Sequence, residues 1–339
     1  MSEQNLLQHT SQGIYCEAGD FYIDPWQPVD RAVITHGHSD HARWGHRYYL
    51  AARCGERILR ARLGDAIDVE FLDYGQSVTL NGVRVSLHPA GHILGSAQVR
   101  VEHRGEVWVV SGDYKSEPDS TCTPFELVPC HTFITESTFG LPIYRWCPQA
   151  EIFADINAWW QANREAQKCS LLFGYALGKA QRLLSGLDPS IGPIYTHGAV
   201  EKLCEEYRAC GIKLPDTRYV GEVEKKTDWS RGIVVAPVSA MGTPWMRKFG
   251  TVSTGFASGW MQIRGARRRR AVDRGFVLSD HVDWPSLIDV IRGTGAEQVW
   301  VTHGYSGVVV RWLREHGIRA RLLSTPYEGE TDEREGAVE

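Results

Sequence analysis

Thr35-His36-Gly37-His38-Ser39-Asp40-His41 decides how this chain is read. Three histidines and an aspartate fall within six consecutive residues. They follow Ala32-Val33-Ile34, an apolar run that reads as the end of a buried strand. On an extended backbone side chains alternate, so His36 and His38 point the same way. Asp40 and His41 come where the chain must turn. Neutral imidazoles and a carboxylate suit zinc, manganese or iron, and three or four converging donors make a tight site. A polar loop rich in histidine by chance is the competing explanation, and the density of donors favours the metal.

Three further residues of a metal-binding type each stand just past an apolar strand. His92 lies in Pro89-Ala90-Gly91-His92-Ile93-Leu94-Gly95-Ser96-Ala97, after the alternating run Val83-Arg84-Val85-Ser86-Leu87. Asp113 closes Ser111-Gly112-Asp113, after Val107-Trp108-Val109-Val110. His303 follows Val299-Trp300-Val301. A fold that gathers strand ends on one edge brings such residues together. Taken singly, each would pass for an ordinary polar residue. A second layer repeats the pattern: Glu136-Ser137-Thr138-Phe139-Gly140 follows Thr132-Phe133-Ile134, and Leu278-Ser279-Asp280-His281-Val282-Asp283-Trp284 follows Gly275-Phe276-Val277.

The H-x-H-x-D-H segment resembles the first metal motif of the metallo-β-lactamase fold. The segments at Glu136, His281 and His303 are similar to motifs A, B and C of its β-CASP branch, the nucleic-acid-processing members. Phe173-Gly174-Tyr175-Ala176-Leu177-Gly178-Lys179-Ala180-Gln181-Arg182 and Pro193-Ile194-Tyr195 resemble the domain inserted in that branch. The resemblance runs from roughly residue 12 to 325. Within the branch, the compact length and motif style look most like the bacterial ligase-associated DNA exonucleases. The fold implied is α/β: a metallo-β-lactamase αββα sandwich with an inserted parallel-sheet β-CASP domain. Residues 1–148 and 263–327 would form the sandwich, 149–262 the insert and 328–339 an acidic tail expected to be disordered.

The resemblance also implies roles. His36, His38 and His92 would hold one divalent metal, Asp40, His41 and His303 a second, and Asp113 would bridge. Zinc or manganese is expected, and iron fits the same donors. Two such ions lower the pKa of a water and offset charge on a phosphoryl group. Asp40 would also orient that water. His281, held by Glu136, would protonate the leaving oxygen, because a carboxylate partner orients an imidazole and favours its charged form. Ser137, Thr138 and Lys179 are expected to touch phosphate. The activity implied is a metal-dependent nuclease, a DNA exonuclease in repair, with RNA 3′-processing as the alternative. Crosslink-repair members of the branch usually lack a histidine at motif C, whereas RNA-cleaving members carry it. His303 therefore leaves RNA open as the substrate. A thioester or lactone hydrolase of the same fold is a further alternative that needs neither the insert nor the Glu136 and His281 motifs. A catalytically dead scaffold subunit is a third, and the intact donor set argues against it. The ligase-associated likeness implies a repair setting shared with a ligase and a helicase.

Composition sets the frame. The chain has 339 residues, 42% of them hydrophobic, enough for two domains with cores. The first residues show no basic-then-apolar signal pattern, and no run approaches about 18 apolar residues, so a cytoplasmic protein without a membrane span is expected. The eight cysteines form no C-x-x-C pair and are read as reduced. The net charge of -4 does not advertise nucleic-acid binding. Charge is local, however: between Arg264 and Arg274 six arginines face one acid. Arg267, Arg268, Arg269 and Arg270 could hold a phosphate backbone, or form a solvated face. Trp260 fits either base stacking or core packing. From residue 150 the period changes from two to that of a helix. Ile152, Phe153, Ile156, Trp159 and Trp160 mark one helical face, and Leu171-Leu172-Phe173 a buried strand. This β-α-β-α rhythm predicts the parallel-sheet insert.

Overall fold

The computed structural model of the protein describes residues 5–224, 226–263 and 272–324. Arg267 to Arg270 and the tail 328–339 lie outside the described residues. The chain divides into two compact units, one running to Pro142 and resuming at His281, the other Ile143–Asp280.

The first unit opens with β1 (Gln8–His9), β2 (Ile14–Cys16), β3 (Phe21–Ile23), β4 (Arg31–Val33), β5 (Tyr48–Ala52), α1 (Glu56–Leu63) and β6 (Val69–Leu72). These six strands form one sheet in sequence order. Next come β7 (Ser77–Leu80), β8 (Val83–Pro89), β9 (Ala97–His103), β10 (Glu106–Val110) and β11 (Thr132–Thr135). The second unit holds α2 (Gln149–Glu165), β12 (Cys169–Phe173), α3 (Lys179–Ser185), β13 (Ile194–Thr196), α4 (Gly198–Ala209), β14 (Arg218–Tyr219), β15 (Ile233–Ala236), β16 (Val252–Ala257) and β17 (Arg274–Phe276). The chain then completes the first unit with α5 (Trp284–Gly293), β18 (Gln298–Val301), α6 (Ser306–Glu315) and β19 (Arg319–Leu322). The second sheet of that unit has the order β19-β18-β11-β10-β9-β8-β7.

Alternation along the strands explains the layering. Val33 of β4 faces inward and packs with Ile14, Phe21, Val85, Val99, Trp108 and Trp300, so the two sheets share one core. On the outer face of the first sheet, Ala32, Tyr49 and Ala51 meet Leu59 and Leu63 of α1. On the outer face of the second, Val109, Phe133 and Val299 meet Leu287 and Ile291 of α5 and Val309 and Leu313 of α6. This is the αββα sandwich expected from the sequence. Hairpin β9–β10 turns at Arg104-Gly105, with His103 opposite Glu106, as its period of two predicts. α5 is started by Asp283, whose side chain accepts from Ser286 N, with proline in the first turn.

The second unit carries a wholly parallel sheet, β14-β13-β15-β12-β16-β17. Every residue of β12 is buried, because apolar clusters cover both faces: Leu172 packs with Ile156 and Trp160 on one side, and Leu171 belongs to the cluster with Ala240, Phe249 and Met261 on the other. The expected boundary at 262 is corrected. β17 pairs with β16, and Phe276 packs beside Trp159, so this unit extends to Asp280. Trp260 is half-buried, its ring edge-on to Tyr144, which favours packing over stacking. No described helix is long and apolar enough to cross a membrane.

Candidate metal centre

Every expected metal donor belongs to the first unit, on a loop at the end of a strand. Beyond β4 the chain turns at Thr35. Its N–H donates to Asp24 Oδ1 at 2.8 Å and its hydroxyl to Asp24 Oδ2 at 2.5 Å. Ala42 N donates back to the His38 carbonyl at 2.8 Å, closing the turn that delivers Asp40 and His41. His92 sits on the loop after β8, where Ser96 Oγ accepts from His92 N and Ile93 N. Asp113 follows β10. The preceding Gly112 has φ +57°, and a Cβ there would lie 2.7 Å from the Cβ of Thr35. Only glycine lets these two loops approach so closely.

The donors converge on two subsites. His38 Nδ1 is 3.0 Å from His36 Nε2 and 3.2 Å from His92 Nε2. Asp113 Oδ2 is 3.7 Å from His36 Nε2 and 3.9 Å from His92 Nε2. These spacings bracket the roughly 3.3 Å edge of a tetrahedron built on zinc–nitrogen bonds of about 2.0–2.1 Å. The second subsite joins His41, His303 and the same Asp113. His41 Nε2 is 3.5 Å from Asp113 Oδ2 and 3.6 Å from Asp40 Oδ2. It is buried and has no hydrogen-bond partner among the described residues. An imidazole nitrogen left thus is what a cation requires. The donor set fits two divalent ions sharing Asp113.

The electrostatics of the donors follow burial and mutual charge. Burial, reinforced by His41 and His38, pushes the His36 pKa well below its ordinary value, which keeps a lone pair for a cation. Burial also lowers His303. For His41 burial acts in the same direction, but the carboxylates of Asp40, Asp113 and Asp24 outweigh it and raise its pKa well above the ordinary value. Burial would raise Asp113, yet the surrounding imidazoles, His41 foremost, hold it well below the usual carboxylate range.

Glu136 and His281 meet beside this centre. His281 Nδ1 lies 3.0 and 2.9 Å from the two carboxylate oxygens of Glu136, and both residues are about 1% exposed. Tyr114 N donates to Glu136 Oε1 at 2.8 Å, and Val282 N donates to the Tyr114 carbonyl at 2.7 Å. The residue after Asp113 therefore fixes both members of the pair. The His281 ring lies 4.7 Å from that of His92, centroid to centroid.

The expected phosphate contacts fare differently. Lys179 is buried, and its ammonium is engaged by Asp280 and, at 3.2 Å, by the Leu278 carbonyl. Ser137 is buried against the carbonyls of Thr302 and His303, and Thr138 is buried with its backbone N–H near Glu136. All three residues are buried. Sequence reasoning also missed Asp24. Its Oδ2 is 2.7 Å from His41 Nδ1, which leaves His41 Nε2 for the second subsite. The only signal was an aspartate between the apolar run Phe21-Tyr22-Ile23 and Pro25, which reads simply as a turn.

No family model matches the chain. It is 33% identical over 315 residues to a protein of Opitutus terrae named probable DNA ligase, covering 91% of this chain and 30% of that one. It is 32% identical over 149 residues to an endoribonuclease ysh1 of Aspergillus fumigatus, covering 40% of this chain and 17% of the relative. A cleavage and polyadenylation specificity factor subunit 3 of Dictyostelium discoideum is 31% identical over 148 residues, covering 40% and 19%. The chain thus spans less than a third of the length of these relatives. Among solved structures, a protein of unknown function from Enterococcus faecalis matches with a TM-score of 0.57 at 12% identity, over 88% of this chain and 80% of that one. The fold is that of the metallo-β-lactamases, an αββα sandwich with an inserted α/β unit. In this fold the strand-end loops that carry the donors all open from one two-sheet scaffold.

Proposed function

We propose that the protein is a metal-dependent phosphodiesterase of the β-CASP type that trims DNA ends in repair. The observation that carries this reading is a pair of cation subsites sharing Asp113, with the buried Glu136–His281 pair alongside. Two divalent ions bound there would supply Lewis acidity and a water of lowered pKa. The protein's own groups do the rest. His36, His38 and His92 hold the first ion, and Asp40, His41 and His303 the second. Asp24 keeps the His41 ring turned toward that site. Asp40, partly exposed, orients the attacking water. His281, held through Nδ1 by Glu136, delivers a proton to the leaving oxygen as the phosphorus–oxygen bond breaks.

The relative named a probable DNA ligase, aligned over 91% of this chain, supports DNA and a repair setting shared with a ligase; a helicase in that setting is implied by the ligase-associated resemblance alone. The endoribonuclease relatives, aligned over 40%, together with His303, support RNA 3′-processing as the second reading. End-labelled single-stranded DNA and matched RNA, incubated with zinc or manganese, separate the two. Stepwise shortening of DNA, abolished in Asp40→Ala and His281→Ala, is the expected result. Cleavage of RNA alone moves the protein to RNA processing. Metal uptake without cleavage of either polymer overturns the nuclease reading and leaves a small-molecule hydrolase.

A further inference from the structure

Ser137 is fully buried. Its Oγ lies 3.0 Å from the Thr302 carbonyl and also contacts the His303 carbonyl. Its own carbonyl accepts from Tyr305 N at 3.0 Å and Gly140 N at 2.9 Å. A Cβ on Gly304 would lie 2.3 Å from the Ser137 carbonyl oxygen and 2.6 Å from Thr138 Cα. The turn 302–305 is therefore strapped onto residues 137–138 with no space between them. At its centre His303 stands at φ +50°, in the left-handed region that residues other than glycine seldom enter. Such a conformation persists only where surrounding contacts over-determine it. The hydroxyl of Ser137 reaches both carbonyls that flank the strained residue's own N–Cα–C unit. Thr302 Oγ1, 3.1 Å from His303 Nδ1, then sets the ring.

We propose that Ser137 is a positioning residue for the second cation subsite, its hydroxyl holding the left-handed turn that aims His303 at Asp113 and His41. The proposal rests on the two-cation reading above. One segment after β11 then serves two parts of the site: Glu136 holds His281, the proposed proton donor, and Ser137 holds His303. The effect must be selective, because His36, His38 and His92 stand on loops that Ser137 does not strap.

The test is a zinc titration of the metal-free full chain against a chromophoric chelator, for wild type, Ser137→Ala and Ser137→Cys. Circular dichroism and melting of the metal-free forms run alongside. Wild type is expected to bind two zinc ions. Ser137→Ala should keep one of them and bind the other about 10–100-fold less well, the usual range for loss of a group that orients a ligand. Ser137→Cys should fall between, since a thiol is a weak donor. If Ser137→Ala does not fold, Ser137→Cys carries the measurement. Equal loss at both sites would mark a merely structural role and overturn the proposal, as would unchanged binding at both. A wild type that binds fewer than two ions brings down the two-cation reading and this inference together. An unchanged variant beside a two-site wild type overturns this inference alone.

Discussion

Asp24→Ala tests the organisation of the centre most directly. One carboxylate there accepts from three donors: Thr35 N–H, the Thr35 hydroxyl and the His41 ring. Thr35 is 1% exposed and His41 4%. The hydroxyl can rotate toward His36 Nδ1, 3.1 Å away, so it recovers a partner. Thr35 N–H is left buried and unpaired, and His41 Nδ1 keeps only the longer 3.4 Å contact with Thr35 Oγ1, at about 1–3 kcal/mol each. The Asp24 side chain is 12% exposed, so some water can enter. A destabilisation of about 3 kcal/mol is expected, and about half that for Asp24→Asn, which retains one oxygen. Urea unfolding of the metal-free protein, followed by tryptophan fluorescence, measures it. Zinc titration should also show the second subsite weakened about 10–100-fold while the first holds. A loss below about 1 kcal/mol in Asp24→Ala, with unchanged metal uptake, would refute the reasoning, because three bonds to a buried carboxylate cannot vanish so cheaply.

Lys179→Met leaves the Asp280 carboxylate buried without its ammonium, a change of about 3–5 kcal/mol, and adding Asp280→Leu should recover most of it; denaturation midpoints of the single and double variants decide. Gly112→Ala sets a Cβ at φ +57° against Thr35, so lowered stability and weakened metal binding are expected together, read by melting and titration. Burial holds the pKa of His46 down to about 4, below the roughly 6.5 of an unfolded chain. The unfolded state therefore binds more protons between these values, so this contribution is full above about pH 6.5 and is lost as the pH falls through about 4. His46→Gln should flatten that part of the stability profile. Removing bound metal with a chelator should lower the melting temperature of wild type, by an amount corresponding to about 2.7 kcal/mol when free metal had stood at 100 times its Kd.

Much of the centre was legible because its signals are local. The period of two in Val83 to Leu87 and Val107 to Val110 placed strands, and the donors stand where those strands stop. Side-chain chemistry named His36, His38, Asp40 and His41 as cation donors, and the resemblance added His92, Asp113 and His303 and paired Glu136 with His281. The structure brings all of these into one centre or beside it. Three other residues could be interpreted only after folding. Asp24 gains its meaning from Thr35 and His41, which reach it across the ends of β3 and β4. Ser137 meets the carbonyl of a residue 166 positions away. Lys179 was read as a cation for phosphate, but its carboxylate partner lies 101 positions along the chain. Spacing and residue type determine which elements form and which chemistry is available. Whether a buried hydroxyl or ammonium faces substrate or protein depends on what the other strands and loops bring against it, and only the tertiary structure decides that.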